Sequence, residues 1–271
     1  TLSQSLPVFE HFGLKVIAEN AYPLALREAT AARPAFVLDF LMARDGIPAL
    51  ADFRRPLEEA VRAAIAGKNE SDGFDKLVPS AGLSAREVTI LRAAAKFLRQ
   101  AATPFSQSYM EQALARNPAV ARMLVDLFHA RLDPDRADAT RASAIFEKIE
   151  TALAAVPSLD DDRIVRRFRN AIASILRTNY YQPDETGASK PYLSFKLDSK
   201  NLDGLPAPRP MAEIFVYAPD VEGVHLRFGK VARGGLRWSD RREDFRTEIL
   251  GLVKAQQVKN TVIVPVGAKG G

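Results

Sequence analysis

The stretch Tyr180–Leu197, YYQPDETGASKPYLSFKL, divides the chain into two kinds of sequence. Its centre, Glu185-Thr186-Gly187-Ala188-Ser189 between Pro183 and Pro191, reads as a surface connection, because Pro and Gly interrupt both helical and strand periods. Beyond it, β-branched and aromatic residues predict strands over Tyr192–Leu197, Ala212–Tyr217 and Val224–Phe228. A helical period returns over Asp240–Lys259, and Thr261–Val266 reads as a buried strand that runs into Gly267–Gly271. Upstream, apolar stripes at three- and four-residue spacing predict helices over Ala35–Ala43, Pro56–Ala66, Ser84–Ala102, Ser106–Ala115, Pro118–His129, Ala137–Val156 and Asp161–Asn179. Ser84 with Glu87 forms a capping-box pattern, Pro118 suits a first helical turn, and Asp160–Asp162 put negative charge at the positive end of the last helix. The opening segment reads as one short strand, Leu14–Ile17, with no partner nearby. The expected fold is α+β and mostly α: a multi-helix region, then a small sheet with one covering helix. Its expected divisions are 1–28 as the remnant of a preceding α/β domain, 29–182 as a helical domain, and 183–271 as the truncated start of a further domain.

Composition narrows the function classes. With 271 residues, 47% hydrophobic and 26% charged, the chain can bury a core and is not of the disordered kind. No apolar run approaches the roughly 18 residues of a membrane helix, and the first residues lack the basic start and apolar core of a signal peptide. A soluble, cytoplasmic protein without a membrane partner is expected. The absence of Cys removes disulfides, thiolate metal sites and cysteine nucleophiles, and His11, His129 and His225 are too scattered to suggest a metal site. The net charge of +5 is unevenly spread: Arg227–Gly271 holds ten Lys and Arg against four Asp and Glu, so the remainder is slightly negative. A cationic end on a near-neutral body points to an anionic ligand there. Nucleic acid is disfavoured, because the cations alternate with acids and glycines and no RNP-like aromatic pattern, helix-turn-helix or zinc finger accompanies them. Arg163, Arg166, Arg167 and Arg169 form a second basic run, read either as an interface or as a solvated face.

Three features share the basic tail: Arg233-Gly234-Gly235-Leu236-Arg237-Trp238, Gln256-Gln257-Val258-Lys259, and Pro265-Val266-Gly267-Ala268-Lys269-Gly270-Gly271. Gly234 and Gly235 let the backbone approach a ligand or adopt φ > 0, with cations on both sides. Lys259 is expected at the end of a helix, and Lys269 at the far end of the following strand among glycines. In a cleft, burial and neighbouring cations would lower such a lysine's pKa toward the range of a catalytic amine. A single exposed lysine is the ordinary alternative; two glycine motifs in order with several cations weigh against it. The tail matches neither GxxxxGK[ST] nor GxGxxG, so no P-loop or dinucleotide fingerprint is present, although backbone amides after a strand still permit anion binding.

This succession resembles the substrate-binding segment of the glutamate, leucine, phenylalanine and valine dehydrogenases. The wider run Gly235–Glu248, continuing through Lys259–Gly271, is similar more narrowly to the large bacterial NAD-specific glutamate dehydrogenases, and the resemblance covers roughly the last 45 residues. Arg233 stands where the small enzymes of the superfamily carry Lys, and one glycine precedes Ala268-Lys269 where they have two. The resemblance implies that Lys269 is the catalytic lysine, that Lys259 pairs with the substrate α-carboxylate with help from Gln256, and that Arg233 lies near the side-chain carboxylate. It further implies L-glutamate and 2-oxoglutarate as substrate and product, NAD bound by a domain beyond residue 271, and a homo-oligomeric parent of which this chain is an excised, inactive piece. A reading from another class stays open at this point: a non-catalytic helical interaction module with an anion-binding basic tail.

Overall fold

A computed structural model of the chain describes residues 2–24, 35–44, 50–230, 234–259 and 267–271. Helix α1 (Leu2–His11) is followed by strands β1 (Lys15–Leu24) and β2 (Ala35–Ala43), paired antiparallel from Lys15↔Ala43 to Leu24↔Ala35. Two expectations are corrected here. Ala35–Ala43 is a strand and not a helix, and it supplies the partner that Leu14–Ile17 was expected to lack. The segment AFVLDFLMA is nearly all apolar and so has no polar face to mark a helical period; its aromatic and β-branched residues pack well on a pleated surface. Phe40 of β2 meets Phe9 of α1 edge to face, with centroids 5.0 Å apart. The ribbon thus carries strand pairing across the division expected at residue 28.

The middle of the chain is helical: α2 (Leu50–Ile65), a 3₁₀ turn (Gly73–Lys76) leading into α3 (Leu77–Ala81), α4 (Ala85–Gln100), α5 (Gln107–Arg116), α6 (Pro118–Leu132), α7 (Ala139–Leu153) and α8 (Leu159–Ala173). The capping box of α4 is formed in full: Glu87 N–H donates to Ser84 Oγ at 3.2 Å, and Ser84 N–H donates to Glu87 Oε2 at 2.7 Å. Ser106, Asp138 and Ser158 cap α5, α7 and α8 in the same sense. These side chains satisfy donors that a helix start would otherwise leave bare.

A third correction concerns the end of α8. The helix stops at Ala173, and Ile175–Thr178 is a strand, β3, which had been expected to continue the helix. Ile175 and Thr178 favour extended backbone, and pairing with β4 (Leu193–Leu197) closes their hydrogen bonds. The sheet runs β3-β4-β5-β6-β7, antiparallel throughout, with β5 (Ala212–Ala218), β6 (Val221–Arg227) and β7 (Ala268–Gly270). β7 was expected as part of a glycine turn. The long helix α9 spans Phe245–Lys259, its predicted first residues Asp240–Asp244 forming a turn instead; the strand expected over Thr261–Val266 lies outside the described residues.

One sheet face is buried at Leu193, Phe195, Leu197, Phe215, Tyr217, Val224 and Leu226, and α4 and α9 cover it. Phe97 of α4 packs edge to face on Phe215 at 5.6 Å, and Ile249 and Val253 of α9 are fully buried. Each such side chain contributes roughly 1.5–3 kcal/mol on burial, so this face fixes α9 against the sheet. The architecture is α+β and mostly α, as expected. No helix among the described residues is long and apolar enough to cross a membrane.

Candidate functional site

Strand β7 is built of small residues because close neighbours crowd it. A Cβ at Gly267 would come 2.7 Å from Gln256 Oε1, and one at Gly271 would come 2.5 Å from Ile249 Cδ1, both on α9. Gly270 faces the other way, where a Cβ would meet Leu236 at 2.6 Å and His225 at 3.2 Å. By strand alternation Lys269 shares the α9 side with Gly267 and Gly271. It is half-buried and lies opposite Leu226 in the ladder.

The segment Gly234–Trp238 runs along the outer edge of β7. Leu236 forms a parallel bridge to Gly270, and Arg237 N–H donates to Gly270 O at 2.9 Å. Gly234 has φ +140°, and a Cβ there would overlap the carbonyl oxygen of Ala268, so the close crossing admits only glycine. The next residue, Gly235, stands beside Lys269: its Cβ position is 3.9 Å from Nζ. The structure therefore brings Lys269, Gly234, Gly235 and Gln256 to one strand. Among the described residues no carboxylate lies within ion-pairing distance of Lys269. Lys259 is the last residue of α9, one turn beyond Gln256; its side chain, and Arg233 altogether, lie outside the described residues.

Two anchors hold this arrangement. Glu248 on α9 accepts from Ser239 Oγ at 2.7 Å and pairs with Arg237 Nε at 2.5 Å, which ties the segment after the double glycine to the helix. The Ser239 hydrogen bond, with Arg237 adding, holds the Glu248 carboxyl below the ordinary carboxylate range. Deeper in, Arg246 of α9 pairs with Glu213 of β5, Nε donating to Oε2 at 2.8 Å, and both side chains are fully buried. Gln100, at the end of α4, accepts from Arg246 N–H at 3.2 Å and donates to Arg242 O at 2.7 Å. Sequence reasoning missed Glu213, Arg246 and Gln100. The one available signal was an acid, Glu213, on the inward set of AEIFVYA with Phe215 and Tyr217; its partner lies 33 residues away, beyond the reach of any local pattern. Beside β7, burial pushes the His225 imidazole below its ordinary pKa, with Arg227 adding.

Similarity to known proteins agrees with this layout. The profile described as bacterial NAD-glutamate dehydrogenase, catalytic domain, matches residues 148–271. Those of glutamate dehydrogenase helical motif 3 and the glutamate dehydrogenase ACT3 domain match residues 69–134 and 1–53. The NAD-specific glutamate dehydrogenase of Halomonas elongata is 49% identical over 273 residues, covering 100% of this chain and 17% of that protein. Those of Mycobacterium tuberculosis and Pseudomonas aeruginosa are each 47% identical, again over 100% of this chain and 17% of theirs. The chain belongs to the bacterial NAD-specific glutamate dehydrogenase family. It spans 17% of the length of these relatives. The Lys269 cluster falls within the stretch that matches this family's catalytic domain, α3 to α6 within the helical motif, and the β1–β2 ribbon within the ACT3 segment.

Proposed function

We propose that the polypeptide carrying this chain oxidises L-glutamate with NAD to 2-oxoglutarate and ammonia. In this reading Lys269 is the catalytic lysine, Lys259 and Gln256 receive the α-carboxylate, and Arg233 lies toward the side-chain carboxylate. Gly234 and Gly235 leave the backbone bare for close approach, and residues 183–271 belong to the catalytic domain. The observation that carries the reading is the meeting of the two glycine motifs, with Gly235 directly beside Lys269 Nζ. The relatives' names add the substrate and the cofactor, since two cations beside an open backbone suit any small dicarboxylate.

NAD would accept the hydride released from the α-carbon. The described elements do not suit the dinucleotide itself: their sheet is antiparallel, without the parallel doubly wound turn that cradles a pyrophosphate, and the sequence has no GxGxxG. The residues here act on the carbon skeleton. Once the α-carbon has lost hydride it is an iminium, and water adds to it. Lys269 Nζ takes one proton from that water and returns it to the departing amino group, which leaves as ammonia; the neutral amine then takes the remaining hydroxyl proton as the oxygen closes to the ketone. This task needs the amine neutral for part of the cycle.

The test is NADH formation by the intact polypeptide with L-glutamate and NAD, comparing wild type with Lys269→Ala at matched circular dichroism. Loss of the proton-transfer group is expected to lower kcat by about 10²- to 10⁴-fold. Equal turnover in the folded variant would remove Lys269 from the chemistry. No turnover by the wild type would sink the dehydrogenase reading and favour a helical interaction module.

A further inference from the structure

A large cleft lies at the opposite end of α4 from Gln100. It measures about 1230 Å³ and opens between α2, the start of α4, the loop before β4 and the turn joining β5 to β6. Flat, apolar groups form much of its wall: Pro56 and Ala63 on one side, Pro191, Tyr192, Val216 and Pro219 on the other. Lys68, Arg86 and Lys190 also line it, with Glu59, Glu70 and Asp220 as the lining acids. Two of those acids are already engaged. Glu70 accepts from Lys96 at 2.8 Å and from Tyr217 Oη at 2.7 Å, and Glu59 pairs with Arg55 at 3.1 Å. The cleft is therefore left with more positive than negative charge.

Arg86 is the group that lacks an explanation. Its guanidinium lies 4.8 Å from the centre of the Tyr180 ring and donates to two carbonyls, Lys190 O at 3.1 Å and Tyr180 O at 3.4 Å. Among the described residues no carboxylate comes within ion-pairing distance, and its buried Nε has no acceptor. Burial pushes its pKa down, the direction expected of a cation without a counter-charge. The positive end of α4 adds to that charge rather than offsetting it. A half-buried, uncompensated guanidinium at the rim of an apolar cleft is costly, and an anion entering the cleft relieves it.

The geometry points to this cleft as a binding site for a planar organic anion, a carboxylate or phosphate on an aromatic or heteroaromatic body. Arg86 holds the anionic group with help from Lys68 and Lys190, and the flat body lies against Pro191 and Tyr192. The site shares no residue with the Lys269 cluster, so it stands independently of the proposed reaction.

Titration calorimetry of the full chain tests it with two probes, adenosine 5′-monophosphate and 1-naphthoate, and with adenosine and inorganic phosphate as the separate halves. At least one probe is expected to bind with Kd below about 1 mM, more tightly than either half. Binding of the nucleotide alone or of the naphthoate alone identifies the source of the anion. Arg86→Met is expected to weaken binding at least about tenfold, and Arg86→Lys to restore part of it. Should Arg86→Met fail to fold, Lys68→Glu, at an exposed position, serves instead with an expected loss of about threefold or more. Failure of both probes to bind at about 10 mM, or undiminished binding in the folded variant, overturns the assignment.

Discussion

The buried pair Glu213–Arg246 makes a sharp stability prediction. Replacing Glu213 with Leu, of similar volume, leaves the Arg246 guanidinium fully buried with no counter-charge and with Nη1 already lacking a partner. Breaking one side of a buried ion pair typically costs about 3–5 kcal/mol, because the surviving charge loses its water without gaining a replacement. Against a typical stability of about 5–15 kcal/mol, that shifts the folded-to-unfolded ratio by roughly two to four powers of ten. Arg246→Met is expected to cost a similar amount by stranding the carboxylate. The double variant Glu213→Leu/Arg246→Met removes both charges and fills the space with apolar groups, so it is expected within about 2 kcal/mol of wild type. Urea denaturation followed by circular dichroism, with the slope checked for constancy, measures all three. Single losses below about 1 kcal/mol, or a double loss equal to the sum of the singles, would refute the reasoning that the pair is desolvated and mutually dependent.

Gly234→Ala is expected to lose about 1–3 kcal/mol from backbone conformation alone, with further loss from displacing Ala268. The control Gly67→Ala also has positive φ but meets nothing within 4 Å, so it is expected to keep NADH formation in the intact polypeptide while Gly234→Ala abolishes it; equal activity of the two variants would contradict the close crossing. Glu87 supplies a pH prediction. Burial alone would raise its pKa, but the His129 ring 3.7 Å away, hydrogen bonds from Ser84 N–H and Oγ, and the charge of Arg122 outweigh it and hold the carboxyl at about 2 against an ordinary value near 4.5. A depressed carboxylate contributes stability that is present above the ordinary value and is lost as pH falls from there toward the folded one. Acid titration of thermal stability should therefore fall between pH 4.5 and about 2 in wild type and flatten in Glu87→Gln; identical acid limbs would show that Glu87 is not responsible.

Much of the fold was legible wherever local chemistry decides structure. Ser84 and Glu87 marked the start of α4, Asn117-Pro118 that of α6, and the alternation in LSFKL and AEIFVYA marked β4 and β5. The misreadings share one cause. AFVLDFLMA and ILRT are short and carry no polar period, so only a partner strand distinguishes their extended form from a helix, and in the sequence that partner is ten or more residues away. Of the candidate site, the glycine motifs and Lys269 could be singled out because glycines beside cations signal close backbone approach. That Gly234 crosses over Ala268, and that Gln100 of α4 grips α9, depend on contacts between segments far apart in the chain. No spacing rule encodes such contacts.

The course of Gly234–Trp238 along β7 also matters for solubility. An outermost strand exposes a row of unpaired N–H and C=O groups, a template on which a second molecule can extend the sheet. Here the bridge from Leu236 and the hydrogen bond from Arg237 occupy that row at Gly270. The double glycine thus guards an edge, and damage to it would expose a sticky margin. Variants there should be judged by aggregation as well as by turnover.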